Sequence, residues 1–447
     1  MLPEVERALL ARNPWIVRPE TRRSALASLL PERWIPRDAE AADWSDRTHA
    51  HLVVGPRQAG KSSLLWRLLE REDAPLVLVD CGDPALRGWC RSPAIVLEEL
   101  ARFLPSGGTL FLEEAQHLEE AGLFIKGLVD ARTGYRIFVT GSSSYDLGAR
   151  TRESLAGRAT RRRVLPLSLA EVCPARDDQP PAGLAARRAE ALGRQAVAGS
   201  YPETWTSQDP AAILTHLLDA YVVRDASDLH KIARPDAFRR LLELAAGQIG
   251  ALVNLSEWAS ILGVSHGTAA SYLMILEESH VAVAVPPFAG GRRRELTSRP
   301  KVFFVDNGLR NAVRGGFAPF DERPDRGPLL ENWVFTELHK AVRPLGPVRI
   351  HHWRSAAKAE VDLVLATAEA VTGWEVKAAE LTEPRLSRSS RSFLSTYRPR
   401  AFTVVNLAHR GTEHVEGIEV RWARAEDLPE EAERHLAALG EEGAGGG

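Results

Sequence analysis

Nine residues, GPRQAGKSS at Gly55–Ser63, constrain this chain more than any other stretch. They follow the short apolar run HLVV (51–54) and lead into SSLLWRLLE, whose apolar residues recur at helical spacing. The pattern Gly55-x-x-x-x-Gly60-Lys61-Ser62, with Pro56, Arg57, Gln58 and Ala59 between the glycines, predicts a strand, a tight loop and a helix start. Such a loop turns backbone N–H groups and the positive end of a helix toward negative charge, so it is built to hold phosphate. Lys61 would reach the β- and γ-phosphates, Ser62 would offer its hydroxyl to Mg²⁺, and Ser63 would add a donor in the first helical turn. The implied ligands are ATP and Mg²⁺.

Downstream runs extend this to a layered α/β unit. LVLVDC (76–81), TLFLEE (109–114), YRIFVTG (135–141) and RRRVLPLS (161–168) read as strands separated by helical patterns, the signature of a parallel sheet covered on both faces. GTLFLEEAQHL ends a buried strand in two carboxylates, where open α/β sheets bind ligands. Glu113 would hold the metal shell, and Glu114 would orient the attacking water and take its proton. Asp is the usual residue at the first of these positions; Glu113 adds a methylene. IFVTGSSS offers Ser142 or Ser143 as a γ-phosphate sensor, and ESLAGRATRRR offers Arg158 as a charge stabiliser, in cis or from a neighbouring subunit. Arg161–Arg163 reads as a solvated strand edge.

The succession GPRQAGKS, LFLEEAQ, VTGSSS, SLAGR and LPLS-x-x-E resembles a prokaryotic branch of the AAA+-type P-loop ATPases. AGSYPE (198–203) and YVVRDASDL (221–229) resemble the helical lid of that branch. The resemblance implies an additional-strand ATPase core followed by the lid, a winged helix-turn-helix and a C-terminal, restriction-endonuclease-like α/β domain. It also implies a homo-oligomer. The expected boundaries are a helical lead-in (1–48), ATPase core (49–168), lid (169–238), winged helix (239–305), nuclease-like domain (306–428) and flexible tail (429–447).

LVNLSEWASILGVSHGTAASYLMILEESHVAVAV (252–285) predicts the winged helix from residues alone: two short helices broken at Gly263, then an apolar strand. His266, Thr268 and Ser271 would face outward on the second helix; Tyr272 is open to two readings, outward with them or in the apolar spacing of Ala269, Leu273 and Leu276. Arg292, Arg293 and Arg294 would sit near the wing tip, where DNA phosphates could be met. The second helix carries no Arg or Lys, so contact would run mostly through the DNA backbone.

In the last third, Glu331 falls in an amphipathic helix (327–340), and AEVDLVLA (359–366) and TGWEVKAA (372–379) read as a hairpin. Glu375 and Lys377, two apart on a strand, share a face, and Asp362 interrupts a run of Val and Leu. This set resembles the PD-(D/E)xK nuclease site, which would make Asp362 and Glu375 Mg²⁺ ligands, Lys377 a water-positioning group and Glu331 the completing carboxylate. The other reading is a buried ion-pair network kept from a nuclease-like ancestor. Only seven of the 57 basic residues are lysines, and two of those, Lys61 and Lys377, fall in these motifs. A net charge of −2 excludes a uniformly basic nucleic-acid binder. Three cysteines without metal or disulfide spacing, and no run approaching a membrane span, point to a reducing cytoplasm.

Three functions follow as expectations. The first is an ATPase acting on duplex or branched DNA. The second is a nucleotide-regulated, Mg²⁺-dependent nuclease. The third is an ATP-dependent switch that binds a protein partner.

Overall fold

The computed structural model describes residues 1–105, 107–141, 155–175, 180–219, 232–288, 290, 299–343, 346–379 and 384–440. Ser142, Ser143 and Arg292–Arg294 lie outside them. Two compact units divide the chain: Met1–Leu165 with Glu278–His280, and Pro166–Glu277 with the chain from Val281 onward.

In the first unit β1 (Ala50–Val54), β2 (Leu76–Asp80), β3 (Thr109–Glu113), β4 (Arg136–Gly141) and β5 (Ala159–Arg163) form one sheet in the order β2-β3-β4-β1-β5. Every pairing is parallel. Strict alternation splits the strands between two cores. Leu52, Val77, Val79, Leu110 and Leu112 pack on one face, and Val53, Leu76, Leu78, Phe111 and Phe138 on the other. Parallel pairing brings the ends of β1, β3 and β4 to the same edge, so Gly55, Glu113 and Gly141 lie together there.

The lead-in is part of this unit rather than an appendage. Its helix Pro3–Arg12 and the turns after it carry Val5, Leu9, Trp15, Leu26 and Trp44 into the two cores. β2 is an edge strand, and an edge leaves backbone groups unpaired. The Asn13 side chain pairs with them, accepting from the Leu78 amide at 2.6 Å and donating to its carbonyl at 2.7 Å. The Trp15 indole donates to the Leu76 carbonyl at 2.8 Å.

Arg161–Arg163 is not a solvated edge. β5 is half-buried along its length. The Arg162 guanidinium lies 4.2 Å from the Trp44 ring centroid, and burial pushes Arg163 down to about 10. Neighbouring aromatic surface, invisible in an RRR run, accounts for the difference.

After the short helix Leu169–Val172, the second unit continues with the helices Pro181–Ala198, Pro202–Thr206, Pro210–Leu217 and Pro235–Gly247. Next come Leu255–Leu262 and His266–Glu278, bent by 104° at their junction, where Gly263 adopts a left-handed φ of 63°. β6 (Ala282–Val285) and β7 (Lys301–Phe304) then pair antiparallel. Tyr272 takes the inward of its two expected positions. It is buried edge-on against Phe238, its spacing matching the apolar stripe of Ala269, Leu273 and Leu276.

A six-stranded sheet closes the unit: β8 (Arg349–Arg354), β9 (Glu360–Ala366), β10 (Val371–Lys377), β11 (Phe402–Asn406), β12 (Gly411–Val415) and β13 (Ile418–Arg424), in the order β12-β13-β11-β10-β9-β8. β9 and β10 are the expected hairpin. One apolar core runs from Leu169 through Trp258 and Phe303 to Leu436, so lid, helix pair and C-terminal region are not separately cored. The tail expected from 429 is partly structured. The helix Leu428–Ala438 buries Leu428, Ala432 and Leu436, and its buried His435 lies 3.9 Å from the Trp374 ring. Its acidic, alanine-rich sequence hid an i, i+4, i+8 stripe. All three cysteines are free and buried. Among the described residues no single helix is long and apolar enough to cross a membrane.

Candidate functional site

The helix Lys61–Glu70 starts directly after Gly60, whose φ of 93° is open to glycine alone without strain. No side chain caps this helix, so its first amides are left to face the loop. Gly55 is as tightly required: a Cβ there would stand 1.9 Å from the Val164 carbonyl oxygen. Gln58, at φ 59°, adopts a left-handed turn inside the loop.

Lys61 is buried, and its ammonium donates to the Pro56 carbonyl at 2.8 Å. Burial pulls this lysine down to about 8, against the opposing pull of Glu114 and Glu113. A desolvated cation short of negative charge, beside uncapped helix amides, is a donor set that fits a polyphosphate. Glu113 is buried at the end of β3, where the Ser62 hydroxyl of the loop is among the groups that favour its charged form. Burial pushes the Glu113 carboxyl up, as do the charges of Asp80 and Glu114, while Ser62 opposes. A serine hydroxyl and a carboxylate at the same sheet edge fit the oxygen preference of Mg²⁺.

Glu114 sits in a left-handed conformation at φ 54°, a strained geometry for a non-glycine residue that turns it out of line with Glu113. Two partners hold it there. Its amide donates to the Thr140 hydroxyl at 3.1 Å, and its carboxylate accepts from the Gln116 side chain at 2.6 Å. Thr140, fully buried next to the end of β4, and Gln116 were not singled out from sequence. The EEAQ run at 113–116 was the available signal for Gln116, whereas Thr140 hides inside an apolar run. Arg12 adds a cation on this side, paired with Asp80, which lies in register with Glu113 on the neighbouring strand.

Arg158 lies elsewhere. It precedes β5, whose first residue is paired with Ala50 while Arg163 is paired with Val54. Arg158 is thus at the opposite end of the sheet from Gly55, bonded to Asp130 at 2.6 Å. Five strand residues, roughly 16 Å, separate it from its own loop, so the cis role is overturned.

On the second helix of the bent pair, His266 is exposed. Thr268 and Ser271 are committed locally: the Thr268 hydroxyl pairs with Ser265 at 2.8 Å, and the Ser271 hydroxyl donates to the Gly267 carbonyl at 2.9 Å. Ile261 and Met274, each 44% exposed, present apolar surface on this pair.

The C-terminal constellation gathers around a residue that sequence reading missed. Lys301, at the start of β7 and 2% exposed, places its ammonium 2.7 Å from Glu360, 3.0 Å from Glu331 and 3.9 Å from Asp362. Asp362 also accepts from the Val376 amide at 2.8 Å, and Glu375 is paired with Lys377. Burial and Asp362 push Glu331 up to about 8, and burial pushes Glu375 up to about 7. The three carboxylates hold Lys301 well above the ordinary lysine range despite burial. Glu331 is therefore a partner of Lys301 rather than the free carboxylate expected to complete a metal shell. Among the described residues no group of three or more His, Cys, Asp or Glu side chains is placed to hold a metal ion. Lys301's scarcity value as one of seven lysines was the one available clue.

Residues 47–173 match the family described as an AAA domain, and the parallel five-stranded sheet of the first unit fits a P-loop NTPase core. Residues 189–319 and 326–422 match two domains of unknown function, DUF8612 and DUF4143. Along its length the chain is similar to an uncharacterized protein of Mycobacterium tuberculosis, 27% identical over 350 residues, covering 77% of this chain and 73% of the relative. A protein of Methanocaldococcus jannaschii is 22% identical over 302 residues, covering 65% and 66%. One of Haemophilus influenzae is 26% identical over 210 residues, covering 45% and 50%. Among solved structures, a signal-transduction ATPase with numerous domains and a tetratricopeptide repeat sensor, from Pyrococcus horikoshii, aligns at 12% identity. It covers 71% of this chain and 47% of that one, and its TM-score of 0.26 is too low to carry an argument.

Proposed function

We propose that the chain is an AAA-type ATPase that couples ATP binding and hydrolysis to action on duplex or branched DNA, as a homo-oligomer. The observation that carries the ATPase part is the arrangement of Lys61, Ser62, Glu113 and Glu114 at one sheet edge. Lys61 binds the β- and γ-phosphate oxygens, relieving its own desolvation. Ser62 and Glu113 would hold Mg²⁺, which when bound supplies positive charge to the phosphates. Glu114 orients the attacking water and accepts its proton at Oε1, the oxygen left open while Oε2 is held by Gln116. Arg158, too far from its own loop, serves a neighbouring subunit's site.

The DNA part rests on the bent helix pair, the β6–β7 hairpin and Arg292–Arg294 in the connection between its strands. The test is the steady-state rate of phosphate release without DNA and with single-stranded, duplex or four-way-junction DNA. Stimulation by duplex or junction, absent in Lys61→Ala, supports the reading; a rate indifferent to every DNA overturns its DNA part. One observation favours a second reading, a nucleotide-dependent switch with a protein partner. The outward hydroxyls are committed within their helix, and Ile261 and Met274 stand exposed. Tight ATP binding without turnover, and no DNA retention at low salt, would favour it.

A further inference from the structure

We propose that Lys301 is the resident cation of the C-terminal carboxylate cluster, which is therefore a closed ion-pair core that neither takes a divalent metal nor cuts DNA. A divalent ion in such a cluster serves first to neutralise carboxylates that burial would otherwise forbid. Here an ammonium does so from a strand outside the six-stranded sheet. β7 delivers it between Glu331 on the helix Arg326–Ala341 and Glu360 and Asp362 on β9. At 2% exposure the lysine stem is packed on all sides, so the charge cannot swing out to solvent.

The remaining groups close around it. Arg354 approaches Glu360 at 3.7 Å. The second Asp362 oxygen is used by the Val376 amide at 2.8 Å, and one Glu375 oxygen by Lys377. His352, fully buried beside Lys301, donates its Nε2–H to the Arg299 carbonyl at 3.1 Å, and burial with the lysine charge pulls it down to about 4. The other Glu375 oxygen is buried without a hydrogen-bond partner. Gly250 belongs to the same enclosure: a Cβ there would stand 2.9 Å from a Glu331 oxygen.

The experiment is Mn²⁺ titration of the nucleotide-free full chain, read by electron paramagnetic resonance. Wild type, Asp362→Asn, Lys301→Met and the double variant are compared, and plasmid integrity is followed in parallel with Mn²⁺ or Mg²⁺. Wild type and Asp362→Asn are expected to bind the same number of ions. Lys301→Met is expected to gain one site, lost again in the double variant. Plasmid stays intact with wild type. A wild-type Mn²⁺ site that disappears in Asp362→Asn overturns the proposal, as does cleavage that depends on Asp362. So does a folded Lys301→Met that gains no site. Should Lys301→Met not fold, the wild-type and Asp362→Asn pair decides alone. ATP turnover, measured on the same samples, reports the proposed ATPase separately.

Discussion

Two buried lysines, one in each unit, sit among carboxylates and end up in opposite electrostatic states. Lys61 is pulled down to about 8 because burial outweighs its anionic neighbours; its hydrogen-bond partner is a neutral carbonyl. Lys301 is held up because three carboxylates outweigh the same burial. A buried cation short of negative charge is poised for an anionic ligand, whereas one already surrounded is finished structure. Proximity of lysine and carboxylate in sequence or space does not separate these cases. The count of anions per cation does.

The largest expected effect sharpens that contrast through stability. Lys301→Met leaves three carboxylates without their cation and should cost about 3–5 kcal/mol. Lys61→Met removes a desolvated charge and should be neutral or stabilising. Urea denaturation followed by tryptophan fluorescence measures both, and equal losses would break the comparison.

Next in size is Glu114→Gln, expected to lower ATP turnover by roughly 10²–10³-fold while leaving nucleotide affinity within about threefold. Phosphate release with parallel binding measurements checks it; retained turnover would move the base elsewhere. Gln116→Ala frees the Glu114 carboxylate and should lower kcat about tenfold with KM unchanged. An altered KM alone would make Gln116 a ligand contact instead of a positioning residue.

The smallest effect is in pH. Phosphate favours charged Lys61, which in the free protein deprotonates near 8. ATP binding should therefore be flat below about pH 7, and above pH 8 it should take up a proton and weaken, by at most about tenfold per unit. Calorimetry in buffers of different ionisation enthalpy reads the uptake. In the C-terminal cluster the sign reverses in meaning. Glu331 and Glu375 are raised above their unfolded values, so their contribution is fully present below about 4.5 and is lost as pH rises through about 7 to 8. The second unit should thus melt lower at alkaline pH, and Glu375→Gln should flatten that slope.

Much of the first unit was legible because its signals are local. The loop glycines, the apolar strand runs and the paired glutamates each constrain a few consecutive residues, and parallel order brings their ends together without further information. Gln116 and Thr140 were not legible in the same way, because a polar residue's partner is set by where two strands end. The helix Leu428–Ala438 was masked by composition, and the half-burial of Arg161–Arg163 by a charge run whose cover, Trp44, lies more than a hundred residues earlier.

Sequence alone determined that this chain holds a phosphate loop with an acidic strand beside it, since hydrophobic period, glycine conformational freedom and charge at a strand end are properties of neighbours along the chain. Only tertiary structure decided what each charge is for. It placed Arg158 at the far end of its own sheet, held Glu114 between Thr140 and Gln116, and inserted Lys301 from a distant strand among Glu331, Glu360 and Asp362. A charge's energy depends on every group within a few ångströms, and those groups come together only when the chain folds.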